Sequence, residues 1–83
     1  MTAMLRYWAA ARDAAGCAEE RVVPGTLRDV LADAVERHGA RLGEVLLRCS
    51  FLVDGAPVGA REHAQVMIQP ASVVEVLPPF AGG

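Results

Sequence analysis

"TLRDVLADAVERHG" occupies residues 26–39, and its reading decides the fold. Leu27, Val30, Leu31, Ala34, Val35 and His38 fall at i, i+3, i+4, i+7, i+8 and i+11, which is one helical face. Thr26 offers a hydroxyl to the open amides of the first turn, where Asp29 meets the positive end of the helix dipole. Gly39 follows His38 and stops the helix. The spacing predicts one long helix up to His38, which sits where a cation is favoured.

The segments on either side read as strands. "MLRYWA" (4–9) alternates, with Leu5, Tyr7 and Ala9 on one face and Met4, Arg6 and Trp8 on the other. The following "AAARDAAG" is rich in helix formers, so local sequence leaves strand and helix both open there. "EERVV" (19–23) is a second strand candidate, stopped by a turn at Pro24-Gly25. Beyond the helix, "RLGEVLLR" (41–48) is a candidate second helix. "CSFLVDG" (49–55) reads as a buried strand closing in an Asp54-Gly55 turn, with Val58 opening a brief return strand. A short apolar run, "QVMIQ" (65–69), precedes a turn at Pro70-Ala71-Ser72. "VVEVL" (73–77) is β-branched and alternating, the clearest strand of all. Strands, one main helix and further strands predict an α+β domain, a mixed sheet packed on that helix.

Composition narrows the function. The 83 residues suit one domain, with residues 1–77 folded and 78–83 a C-terminal tail. The hydrophobic share is 53%, high for a domain that hides only about 60–65% of its unfolded surface. Either the core is dense or apolar surface is kept for a partner. The net charge of −2 and the lack of a basic run argue against nucleic-acid binding. No segment approaches the ~20 apolar residues of a membrane span. Arg6 and Arg12 interrupt any secretory signal, so a cytoplasmic location is expected.

Cys17 and Cys49 have no metal-ligand spacing, and their number alone does not establish a disulfide. Cys17 lies in a loop where Glu19 and Glu20 disfavour its thiolate, and Cys49 reads as packing. His63, in the polar "REHAQ" segment, has no further ligands in sight, and no metal site is expected. Arg12 and Asp13 are either a local charge pair or a partner contact.

The sequence closes on "LPPFAGG" (77–83), directly after the best strand. Pro78 and Pro79 hold the chain extended, so residues 78–83 reach roughly 20 Å. Phe80 offers an anchor for a pocket in another protein. Gly82 and Gly83 have no Cβ and thread a narrow channel, which leaves the Gly83 carboxylate open to attack. A carboxylate reacts as an acyl donor only after activation, and the chain has no nucleotide-binding G-x-x-x-x-G-K-[ST] loop. Another protein must activate it, which makes this chain a carrier and not the catalyst. All eight cationic residues are Arg and none is Lys, which removes side-chain amines that would intercept an activated acyl group.

These features resemble the ubiquitin-like sulfur carriers, and most closely the small-subunit family of molybdopterin synthase. "RYWAAARDAAG" (6–16), "FLVDGAPV" (51–58) and "VEVLPPFAGG" (74–83) carry the resemblance, the last being the most specific. It implies a β-grasp fold and favours the strand reading of residues 4–9. It also implies that Gly83 is adenylated with ATP by an enzyme of the ubiquitin-activating type. A sulfur donor system then converts it to a thiocarboxylate, which donates sulfur to cyclic pyranopterin monophosphate in molybdenum cofactor biosynthesis. The chain itself binds no cofactor in this scheme. Its partner is the large synthase subunit, in a heterotetramer, with Trp8, Pro78, Pro79, Phe80, Ala81 and Gly82 at the contact. The family's acidic turn before the last strand is replaced here by Pro70-Ala71-Ser72-Val73, and Asp54 and Asp13 replace the usual Asn and Glu.

Three other readings stay open. Carriers for cysteine, thiazole or tRNA thiolation use the same terminal chemistry. A ubiquitin-like modifier would instead form amide bonds to target lysines. A binding module would use Trp8 and Phe80 as anchors with no acyl chemistry at all.

Overall fold

The computed structural model describes residues 1–79, in the order β1 (Ala3–Tyr7), α1 (Ala9–Ala15), β2 (Glu19–Val22), β3 (Gly25–Thr26), α2 (Leu27–His38), α3 (Ala40–Leu46), β4 (Ser50–Val53), β5 (Ala56–Pro57), β6 (Met67–Ile68) and β7 (Val73–Leu77). Five strands form one sheet in the order β2-β1-β7-β4-β5. The last strand is its centre: β7 pairs parallel with β1 and antiparallel with β4. This is the expected mixed sheet.

Alternation decides which face each strand buries. On β1, Ala3, Leu5 and Tyr7 point into the core, and on β7 Val74 and Val76 do so. Glu75 and Leu77 lie on the opposite, half-exposed face. The inner face packs on α2, whose Leu27, Val30, Leu31 and Ala34 are buried, and on α3 through Leu42 and Leu46. The Thr26 hydroxyl accepts the Asp29 amide at 3.1 Å, so the expected cap forms. At the other end the Gly39 amide donates to the Val35 carbonyl at 2.7 Å, with Gly39 at φ 107°. A Cβ on Gly43 would sit 3.4 Å from Val35 Cγ1, and this sets how closely α3 approaches α2.

Four boundaries differ from the sequence reading. The strand expected over 4–9 ends at Tyr7: Trp8 is the extended N-cap of α1, and Ala9 opens the helix with a positive φ of 47°. Helix propensity prevails from Ala9, because Ala11 and Ala15 can then pack into the core. Gly16, at φ 78°, closes α1 by donating its amide to the Arg12 carbonyl at 2.9 Å. Pro24-Gly25 is not a simple turn, since Gly25 and Thr26 pair with Ile68 and Met67 in a small second sheet. The second helix covers Ala40–Leu46, not 41–48. The return strand is Ala56–Pro57, and Val58 follows it as a buried core residue. Asp54 (φ 50°) and Gly55 (φ 83°) make the tight turn between β4 and β5 that their sequence predicts.

Candidate functional site: the root of the tail and its surroundings

The tail leaves from the C-terminal end of the central strand. Pro78 is half-buried and Pro79 exposed, directly after β7. Phe80, Ala81, Gly82 and Gly83, the remaining expected site residues, lie outside the described residues. Because β1 runs parallel to β7, its end reaches the same edge of the sheet, and Trp8 is delivered there. The Trp8 amide donates to the Val76 carbonyl at 3.2 Å, two residues before Pro78. Its indole Nε1–H donates to Glu75 Oε1 at 3.2 Å, which orients a ring left 45% exposed. Glu75 was not singled out in the sequence; it shares the half-exposed sheet face with Arg6, its register partner on β1.

A shallow depression of about 350 Å³ flanks the tail root, lined by Ala10, Arg41, Glu44, Val45, Arg48, Pro78 and Pro79. Thus Arg41 and Glu44 of α3, with Arg48 two residues past its end, stand beside the two prolines. A larger groove of about 570 Å³ runs between α2, α3, β4 and β5, past Leu31, Val35, Phe51 and Pro57, and none of the expected site residues lines it.

On the neighbouring edge of the sheet, a polar cluster ties β2 to the end of α2. Glu20 sits on the inward-alternating side of β2 with Val22, and its carboxylate accepts from the Tyr7 hydroxyl at 2.6 Å. His38 Nε2 lies 2.7 Å from the same oxygen, Oε2, while the Arg37 guanidinium pairs with Oε1 and with Asp33. Burial pushes the Glu20 carboxyl upward, but hydrogen bonds from Tyr7, His38 and Arg37 outweigh it and hold the group below the usual range. Tyr7 is driven the other way: its buried hydroxyl, next to the Glu20 charge, ionises only far above the usual tyrosine range.

Cys17 completes this neighbourhood, with its thiol pushed up by burial and by Glu20. Sulfur or oxygen or nitrogen donors of Cys17, Glu20 and His38 all lie within 4.8 Å of one another. No motif spacing announced this group, because the strand and helix that carry it are brought together only by the fold. Cys49 is half-buried, donates to the Val45 carbonyl at 3.2 Å, and has its thiol raised by burial. His63 packs edge-on against Phe51 at 5.2 Å. Among the described residues Arg12 and Asp13 form no ion pair.

A family model described as the ThiS family matches residues 5–83. The chain belongs to this family of ubiquitin-like sulfur carriers. Small archaeal modifier protein 1 from Methanosarcina acetivorans has the same fold, with a TM-score of 0.84 and 20% identity over 99% of this chain and 96% of that one. A Pyrococcus furiosus protein described as a candidate molybdopterin converting factor subunit 1 gives a TM-score of 0.79 at 23% identity, over 96% of this chain and 99% of that one. Molybdopterin-converting factor from Helicobacter pylori, solved as a complex of its subunits 1 and 2, gives 0.68 at 17% identity, with both chains covered completely. No curated protein sequence matches the chain. The shared fold is the β-grasp. No helix among the described residues is long and apolar enough to cross a membrane.

Proposed function

We propose that this ThiS-family chain is the sulfur-carrying small subunit of a molybdopterin synthase. The observation that carries the reading is the placement of the tail root: Pro78-Pro79 follow directly on the central strand, whose Val76 carbonyl accepts the amide of the 45% exposed Trp8, and "FAGG" comes next in the sequence. A root fixed by two prolines, followed in the sequence by two residues without side chains, suits a segment that must enter another protein's active site.

The chemistry belongs to Gly83 and to enzymes that act on it. Its carboxylate oxygen attacks the α-phosphorus of ATP in the activating enzyme, and pyrophosphate leaves. A sulfur nucleophile from a donor system then displaces AMP, giving the thiocarboxylate. Inside the large synthase subunit that sulfur passes to cyclic pyranopterin monophosphate, and hydrolysis of the acyl group returns the Gly83 carboxylate. Gly82 gives access, Phe80 and Ala81 anchor the tip, and Trp8 with Pro78 and Pro79 forms the docking shoulder. The solved pair of subunits 1 and 2 from Helicobacter pylori supports a large-subunit partner, and the assembly proposed with it is a heterotetramer. The carrier acts in the cytoplasm, where ATP and the activating enzyme are available.

Likeness to small archaeal modifier protein 1 favours one second reading, conjugation of Gly83 to target lysines. Purification through an N-terminal tag, with identification of bound proteins and intact mass of the bait, separates the two. A synthase large subunit and sulfur replacing one oxygen support the carrier; a large subunit of another sulfur pathway, or bait joined to lysines, overturns the proposal.

A further inference from the structure

We propose that Cys17, Glu20 and His38 form a three-ligand binding site for one Zn2+ ion. A thiolate, an imidazole and a carboxylate are the donor types that zinc takes, three from the protein with the fourth position left to water. The three donors come from different parts of the fold: the loop after α1, strand β2 and the end of α2. They nevertheless lie within 4.8 Å of one another. Ligands around a tetrahedral zinc stand roughly 3.3–3.7 Å apart, given metal–ligand bonds of about 2.0–2.3 Å. Side-chain rotations of about 1 Å therefore suffice, closing the Cys17 thiol inward and opening the 2.7 Å contact between His38 and Glu20.

The surroundings fit a cation. Cys17 as thiolate and Glu20 together carry two negative charges, which neutralise the ion, while the nearby Arg37 charge is offset by Asp33 at 3.0 Å. His38 ends α2, where the helix dipole favours positive charge. Outer-shell support is already in place: the Tyr7 hydroxyl donates to Glu20 Oε2 and Arg37 holds Oε1. The Cys17 loop is itself fixed, because the Tyr7 amide donates to the Ala18 carbonyl at 2.8 Å. A shallow depression of about 310 Å³, lined by Arg12, Asp13, Gly16 and Cys17, gives solvent a route to the open position. On binding, the Cys17 thiol releases its proton to solvent and His38 ligates through a ring nitrogen that carries none. The ion then clamps β2 to the far end of the main helix, a role separate from the chemistry at Gly83.

The test is titration of Zn2+ into the metal-free full chain, with Gly83 as carboxylate, followed by calorimetry, together with the absorption spectrum of the Co2+-loaded protein. One zinc per chain is expected, along with a thiolate-to-cobalt charge-transfer band. Cys17→Ser should abolish the band and weaken zinc by more than about tenfold, the loss that outer-shell changes alone begin to cause. His38→Gln should weaken it similarly, while Cys49→Ser and His63→Gln leave it unchanged. Because Cys17→Ser differs by one atom in a solvent-accessible loop, loss of binding with an unchanged circular dichroism spectrum reports the ligand and not the fold. Absence of zinc binding, binding that Cys17→Ser does not alter, or a cobalt spectrum without the thiolate band would each overturn the assignment.

Discussion

Replacing Glu20 by glutamine keeps the shape of the side chain and removes its charge from the centre of the Tyr7–His38–Arg37 cluster. The carboxylate side chain is 16% exposed and that of His38 20%, so two of its contacts are shielded from water. A hydrogen bond to a charged group contributes about 1.5–3 kcal/mol against about 1 for a neutral pair, so the Tyr7 and His38 bonds together lose about 1–4 kcal/mol, and the lower half of that range, about 1–2, applies to groups that keep some exposure to water. The Arg37 pair is more exposed, at 36%, and screening limits its share to about 0.5–1 kcal/mol. The sum, about 2 kcal/mol, lowers Tm by roughly 10 °C in a domain of this size. The pH dependence follows from the depressed carboxyl. Its stabilisation is complete above the unfolded value of about 4.3 and is lost as pH falls through the lower folded value. Glu20→Gln has no such group, so the gap between wild type and variant should be widest near neutrality and shrink in acid. Thermal melts of both proteins with chelator, from about pH 6.5 down to about pH 3, measure it; other carboxylates titrate alike in both and cancel. A gap below about 0.5 kcal/mol at neutral pH, or one that does not change with pH, refutes the reasoning.

Leu42 is fully buried on α3, so Leu42→Ala should cost about 2–5 kcal/mol in urea unfolding, while the 87% exposed Leu47→Ala changes stability by less than about 0.5 kcal/mol. Ala9 carries a positive φ of 47° at the junction of β1 and α1, and Ala9→Gly should relieve it for a gain of about 0.5–1 kcal/mol, read as a higher Tm. Trp8→Ala should cost less than about 1 kcal/mol of stability, because the ring is half in solvent and its bond to Glu75 is exposed. The same change should weaken large-subunit binding by about 2 kcal/mol, roughly thirtyfold, in a calorimetric titration.

The parts of the fold that the sequence announces are those governed by local periodicity. Residues 27–38 show a helical stripe with a capping Thr26, and residues 73–77 alternate with β-branched side chains; both elements form over those residues. The Asp54-Gly55 turn is legible because positive φ at both positions suits those residue types. What the chain conceals is set by contacts distant in sequence. Gly25 and Thr26 are strand residues only because Ile68 and Met67 lie opposite them. Tyr7 and Ala9 alternate on paper, yet the chain turns at Trp8, where its amide meets Val76 and the alanine-rich stretch gains more as a helix.

The candidate site divides in the same way. The Pro-Pro-aromatic-Gly-Gly ending is visible as composition, whereas the nearness of Trp8 to the tail root depends on β1 and β7 running parallel. The cluster of Glu20, Arg37, His38 and Cys17 was hidden behind a separation of 18 residues between Glu20 and His38. One signal pointed to part of it: Glu20 lies two residues before Val22, so it shares the inward side of β2. A carboxylate on that side has to find donors, and Tyr7 on the facing strand supplies one.

The central claim, that Gly83 carries sulfur, is tested most directly by intact-protein mass spectrometry. The chain is isolated from cells that hold the activating enzyme and the sulfur donor system, with its C-terminal peptide sequenced. A fraction of chains with sulfur in place of one oxygen, localised to the Gly83 carboxyl and lost when Gly83 is deleted, is the predicted result. Chains found only as the plain carboxylate while bound to the large subunit, or Gly83 joined through an amide to lysines, would contradict it.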